Sequence, residues 1–109
     1  MSAETVICTF RVRPVRQEAF DDLIRPHWPT LRDLEMVTET PEQRFVGTDG
    51  DGGPVVVSIF EWVDAEAVAR AHEHPDVAEI WEAMEPLCES RRGRPSMEFP
   101  HFEPVPVEA

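Results

Sequence analysis

The stretch "VVVSIFEW", residues 55–62, constrains the chain more than any other. Read as a strand, it sets Val56, Ser58, Phe60 and Trp62 on one face and Val55, Val57, Ile59 and Glu61 on the other. Both faces are largely apolar, so both are expected to be covered. One layer of helices covers only one face of a sheet. In a chain of 109 residues, the simplest cover for the second face is another copy of the same chain.

The remaining elements assemble around that strand. "TVICTFRV", residues 5–12, alternates in the same way, with Val6, Cys8, Phe10 and Val12 on one side and Thr5, Ile7, Thr9 and Arg11 on the other. Phe20, Leu23, Ile24, His27, Trp28, Leu31 and Leu34 recur at helical spacing. Pro26 and Pro29 interrupt this helix, and an interior proline costs roughly 3 kcal/mol, so a split between Arg25 and Thr30 is expected. "EMVTET" and "QRFVGTD" flank Pro41 and read as one broken edge strand. "TDGDGGP" is a hairpin turn leading into residues 55–62. Asp64 is suited to cap the next helix, whose inner face carries Val68, Ala71 and His72. Pro75 opens a second helical segment capped by His74 or Glu73, with Val77, Ile80, Trp81, Met84 and Leu87 on its stripe. "SMEFPHFEPV" is a last, irregular strand with Met97, Phe99 and His101 on one face and Glu98 and Phe102 on the other. The resulting order predicts an α+β, ferredoxin-like βαββαβ protomer, an antiparallel sheet with two helices on one face. A single domain over residues 1–109 is expected, with the tail 104–109 frayed.

Charge and composition exclude several function classes. The net charge of −12, with ten arginines and no lysine, disfavours nucleic acid and anionic membrane surfaces as partners. No apolar run of membrane-spanning length and no basic-then-apolar leader occurs, so a cytoplasmic protein is expected. Cys8 and Cys88 have no metal-type spacing and read as free thiols. "GTDGDGG" lacks the lysine and following helix of a phosphate loop, and no Gly-x-Ser-x-Gly elbow is present. Cys8, inside a strand, does not read as a nucleophile. Arg11 is expected to pair with Glu61 across the sheet rather than hold an anionic substrate, and "ESRRGR" to form a solvated turn rather than a binding patch.

The segment "IFEWVDAEAVARAHEHPDVAEIW" resembles the antibiotic biosynthesis monooxygenase superfamily of dimeric α/β barrels. The residues that carry the resemblance are Trp62, Asp64, Glu66 with Ala67, His72, and His74 with Pro75. The resemblance implies a homodimer through the open sheet face. It also implies a pocket between sheet and helices, often used for cofactor-free oxidation of phenolic or polyketide-like molecules. The haem-degrading branch resembles this chain less. That branch uses an asparagine on the first strand with a tryptophan and a histidine on the second helix; this chain has no asparagine, and those helical positions fall on Ala71 and Trp81. Anthrone-oxidising members lean on asparagine, tyrosine or tryptophan near the substrate. Asparagine and tyrosine are absent here, which leaves tryptophan and histidine for such roles.

The candidate catalytic residues are therefore His72, His27 and His101. Each falls on an inward face, and an imidazole, with an unperturbed pKa of roughly 6.5, moves protons near neutral pH. Each is also readable as a partly buried histidine bonded to backbone or carboxylate, and for His72 that plainer reading is the favoured one. Trp28, Trp62, Trp81, Phe99 and Phe60 are candidate substrate-binding residues, since flat aromatic surfaces suit a flat ligand; at the same spacings they would serve as core. "HEH" at 72–74 raises the question of a metal. Residues two apart on a helix point roughly 200° apart, whereas a two-histidine helical site needs a spacing of four, so no metal is expected. No cofactor is expected either. The leading expectation is a cofactor-independent monooxygenase acting on an aromatic or polyketide-like small molecule. The alternatives are a non-oxidative cyclase or isomerase on the same scaffold, and a non-catalytic binding or structural dimer whose own tryptophans fill the pocket.

Overall fold

The computed structural model describes residues 3–107. Three long strands form its frame: β1 (Glu4–Arg11), β2 (Gln43–Thr48) and β3 (Pro54–Trp62). Two short ones, β4 (Met97–Glu98) and β5 (His101–Phe102), share the free edge of β1. All pairings are antiparallel, in the order β2-β3-β1 and then β4 with β5. This is the expected ferredoxin-like arrangement. The expected last strand breaks at Phe99–Pro100, where Pro100 contributes no N–H and its carbonyl accepts from Ile7 N–H at 3.1 Å.

Each expected helix is a pair of short ones: α1 (Gln17–Ile24) and α2 (His27–Asp33), then α3 (Ala67–Glu73) and α4 (Pro75–Met84). The breaks fall where proline forbids continuity, at Pro26 and Pro75. His74 caps α4 with its ring, Nδ1 accepting from Asp76 N–H at 3.2 Å. Asp64 does not cap α3 directly. The helix starts at Ala67, and the Asp64 carboxylate instead accepts from Glu66 N–H at 3.0 Å, bracing the turn one step earlier. The broken edge strand is also present in outline, as β2 with a separate bridge from Val37 to Trp62. Residues 104–107 are exposed and without regular structure; 108 and 109 lie outside the described residues.

Register decides the two faces of the sheet. Val6 pairs with Phe60, Cys8 with Ser58 and Phe10 with Val56, so these side chains share the helix-covered face. There they bury Phe20, Ile24, Leu31, Ala67, Ala71, Val77 and Met84. Each large apolar side chain so buried contributes roughly 1.5–3 kcal/mol. The opposite face carries Ile7, Val55, Val57 and Ile59, which are only half-buried, with Phe45 54% and Phe102 48% exposed. The expectation that both faces are buried therefore holds within the single chain for the inner face alone.

One expectation about an arginine is corrected and another is refined. Arg11 pairs with Glu98 at 2.7 Å and donates to Pro95 O, not to Glu61, because β3 places Val55 opposite it. Glu61 instead accepts from Thr38 Oγ1 at 2.9 Å. "ESRRGR" forms the expected turn, with Ser90, Arg92, Gly93 and Arg94 exposed, but within it the Arg91 side chain is only 9% exposed. Its guanidinium donates to Glu89 Oε2, Asp49 Oδ2, Pro54 O and Val12 O, tying the β2–β3 hairpin to the end of β1.

Candidate functional site

A cavity of about 500 Å³ lies on the inner face, between the sheet and the second pair of helices. The sheet supplies Val6 and Cys8 from β1, Phe60 and Trp62 from β3, and Met97, Phe99 and His101 from the broken last strand. These residues reach the cavity because strand side chains on one face recur at every second position. The helices supply Val68 and His72, four apart on α3, and Ala78, Trp81, Glu82 and Glu85, which follow one face of α4 into the next turn. His27, the first residue of α2, completes the lining.

Three histidines thus meet at one cavity, in three different environments. His27 is 3% exposed and packs edge-on to Phe60. Trp81 Nε1–H donates to its Nε2 at 2.7 Å, so in neutral His27 the proton sits on Nδ1. That Nδ1 is buried with no hydrogen-bond partner among the described residues. Burial, and secondarily the positive charge of Arg44, push its pKa down to about 4, so His27 is neutral at pH 7. His72 follows Val68 on α3 as expected, but it is exposed at the open side of the cavity rather than part of the core. Its ring stands edge-on to Trp81 at 4.7 Å between centroids. His101, also exposed, holds Nδ1 2.9 Å from Glu4 Oε1.

The tryptophans divide. Trp62 and Trp81 line the cavity, and Trp62 Nε1 is a buried donor without a partner among the described residues. Trp28 is not at the cavity, contrary to expectation. One residue on from His27 in α2, its side chain points about 100° away, and its ring lies beneath the Arg32 guanidinium, 5.4 Å from the ring centroid. Cys8 lies in the wall, its thiol pushed up to about 12 by burial and then by the Glu42 carboxylate. A thiol held protonated in this way is no nucleophile at neutral pH. Among the described residues, no three side chains of metal-ligating type converge.

Sequence reasoning missed Glu4, Glu82 and Glu85. Glu4 carried a readable signal, since it extends the inward parity of Val6, Cys8 and Phe10 by one step. A strand begun at residue 5 leaves it outside. Glu82 and Glu85 lie off the apolar stripe of α4, and only the packing of α4 over the sheet brings them to the rim.

No family model and no curated protein sequence matches the chain. Solved structures do. An antibiotic biosynthesis monooxygenase superposes with a TM-score of 0.71 at 16% identity, over 94% of this chain and 99% of the other. SnoaB from Streptomyces nogalater, a cofactor-independent oxygenase, gives 0.69 at 17% identity, over 98% and 97%. A conserved protein from Methanosarcina mazei Go1 gives 0.71 at 14% identity, over 94% and 93%. The chain has the fold of the antibiotic biosynthesis monooxygenases. Within that fold this chain sets His27 on α2, His72 on α3 and His101 on the strand edge. None of the described helices is long and apolar enough to cross a membrane.

Proposed function

We propose that the protein is a cofactor-independent monooxygenase acting on an aromatic or polyketide-like small molecule. The observation that carries this reading is the cavity itself: open space of about 500 Å³, walled by Phe60, Trp62, Trp81 and Phe99, with imidazoles at its open side. A volume of that order accommodates a ligand of several fused rings. The space also disfavours a purely structural role in which the tryptophans would fill the pocket. The likeness of fold to SnoaB supports the same reading.

An imidazole takes the acidic proton of an anthrone-like CH₂ group, and the electron pair left on carbon is delocalised over the rings. The carbanion passes electrons to dioxygen and, after protonation, forms a hydroperoxide. Loss of water leaves the carbonyl, so CH₂ and O₂ become C=O and H₂O. His27 is poorly suited as the proton acceptor, because its nitrogen Nε2 is already bonded to Trp81 and burial disfavours its charged form. His72 and His101 remain for that role. The protein works as a cytoplasmic homodimer in this reading, with the apolar face around Ile7, Val57 and Ile59 joining two copies. Ile59→Arg is then expected to convert a dimer to a monomer in sedimentation velocity.

Incubating the purified protein with an anthrone and oxygen tests the reaction. Quinone should form above the spontaneous rate, with one O₂ consumed per quinone. No quinone above that rate would overturn the oxygenase reading, and conversion of a substrate without oxygen uptake would indicate a cyclase or isomerase instead.

A further inference from the structure

We propose that His101 is the proton acceptor of this site and that Glu4 is its positioning residue; the proposal rests on the oxygenase reading above. The pair arises from the register of the sheet. β5 places His101 opposite Val6 on the inner face, and Glu4 is two residues along β1 on that same face. Such diagonal neighbours are within reach of long side chains. The result is a contact of 2.9 Å between Glu4 Oε1 and His101 Nδ1, linking two residues 97 positions apart.

A carboxylate only accepts hydrogen bonds, so the ring nitrogen facing it carries a proton. That assigns neutral His101 the Nδ1–H form and leaves the lone pair on Nε2, which has no partner among the described residues. A carboxylate behind a histidine base holds the ring in one tautomer and stabilises the imidazolium that forms when the base accepts a proton. The other two histidines of the cavity lack this arrangement. His27 Nε2 is occupied by Trp81, and His72 makes no hydrogen bond among the described residues that would fix its tautomer.

The step balances without any added group. The acidic C–H bond of the substrate breaks, its electron pair stays on carbon, and the proton goes to His101 Nε2. The imidazolium Nδ1–H continues to donate to Glu4. Dioxygen then takes up the electrons as described above.

Two measurements test the proposal. Nitrogen-15 NMR of histidine-labelled protein at pH 8 should show His101 with the proton on Nδ1, and Glu4→Ala should shift it toward the Nε2–H form usual for free histidine. The same tautomer in both proteins would overturn the pairing. The second measurement is exchange of anthrone CH₂ hydrogens with D₂O under anaerobic conditions, which reads proton removal without oxygen. His101→Gln should lower the enzyme-dependent exchange rate by roughly 10²–10⁴-fold. Glu4→Ala should lower it by roughly 10- to 100-fold through kcat rather than KM, with Glu4→Asp recovering part of the loss. A greater loss in His72→Gln than in His101→Gln would overturn the assignment. Quinone formation at the wild-type rate by His101→Gln would also overturn it, while leaving the oxygenase reading intact. Exchange that depends on His101 but yields no quinone would uphold the base and sink the oxygenase reading.

Discussion

The two ends of this sheet treat their polar groups in opposite ways. At the hairpin end, Arg91 sends four hydrogen bonds to Glu89, Asp49, Pro54 and Val12. Asp49 is committed as well, its other oxygen accepting from the N–H groups of Asp51 and Gly53 at 3.0 and 3.1 Å. At the cavity end, His27 Nδ1 and Trp62 Nε1 are buried without partners among the described residues. Leaving a buried donor unpaired costs about 1–3 kcal/mol, so such groups are seldom retained for stability alone. The hairpin end holds shape, whereas the cavity end keeps unspent hydrogen-bonding capacity. Substitutions at the first should therefore change stability with little effect on ligand binding, and those at the second should change pH response and binding.

The largest expected effect comes from His27. Its folded pKa of about 4 lies below the ordinary 6.5, so between those values the unfolded chain binds a proton that the folded one does not. Stability is then full above pH 6.5 and falls as pH drops toward 4, by roughly 3 kcal/mol in all. Urea unfolding of the wild type and His27→Leu across pH 4–7 checks this, since the variant should lack that component of the slope. Next, Arg91→Ala should cost about 2–3 kcal/mol in the same assay, because the Val12 and Pro54 carbonyls lose their charged donor. Ligand affinity should be unchanged, and a weakened affinity would break the contrast between the two ends.

Gly53→Ala sharpens that contrast. A Cβ at Gly53 would lie 2.5 Å from the Arg91 guanidinium carbon, so the staple must move. The double variant Gly53→Ala, Arg91→Ala should be little worse than Arg91→Ala alone, whereas additive losses would show that the staple is not what Gly53 accommodates. A smaller effect is expected for Trp81→Phe, which removes the hydrogen bond to His27 at about 1 kcal/mol and should weaken binding of an aromatic ligand, read by titration calorimetry. The smallest belongs to Trp28→Phe. Lying off the cavity under Arg32, Trp28 should alter ligand affinity by less than about 0.5 kcal/mol.

Much of the frame was legible before any coordinates. Alternation in residues 5–12 marked the more apolar face of β1, which is the one the helices cover, and the prolines at 26 and 75 marked where the helices break. These signals are local: a strand's parity and a missing N–H act within a few residues. The cap at His74 was legible for the same reason. Placements that depend on which elements meet were harder to read. Strand parity alone sets Arg11 and Glu61 on one face, yet register places Val55 opposite Arg11 and brings Glu98 within 2.7 Å of it. Arg91 sat in a stretch of polar and basic residues indistinguishable from a solvated turn until the hairpin closed around it. Trp28 shares the apolar stripe with His27, yet the two are adjacent in α2, where successive side chains point about 100° apart, and only His27 reaches the cavity.

The sequence alone thus determined the strand–helix order, the alternation along β1 and β3, and the helix breaks at Pro26 and Pro75. The tertiary structure alone decided how the histidines differ. His27 became buried and bonded to Trp81 across 54 positions, His72 was left at the open rim, and His101 met Glu4 across 97. The character of an imidazole depends on its burial and on the partner of each ring nitrogen. Both are set by contacts between residues distant in the chain, which hydrophobic periodicity does not encode.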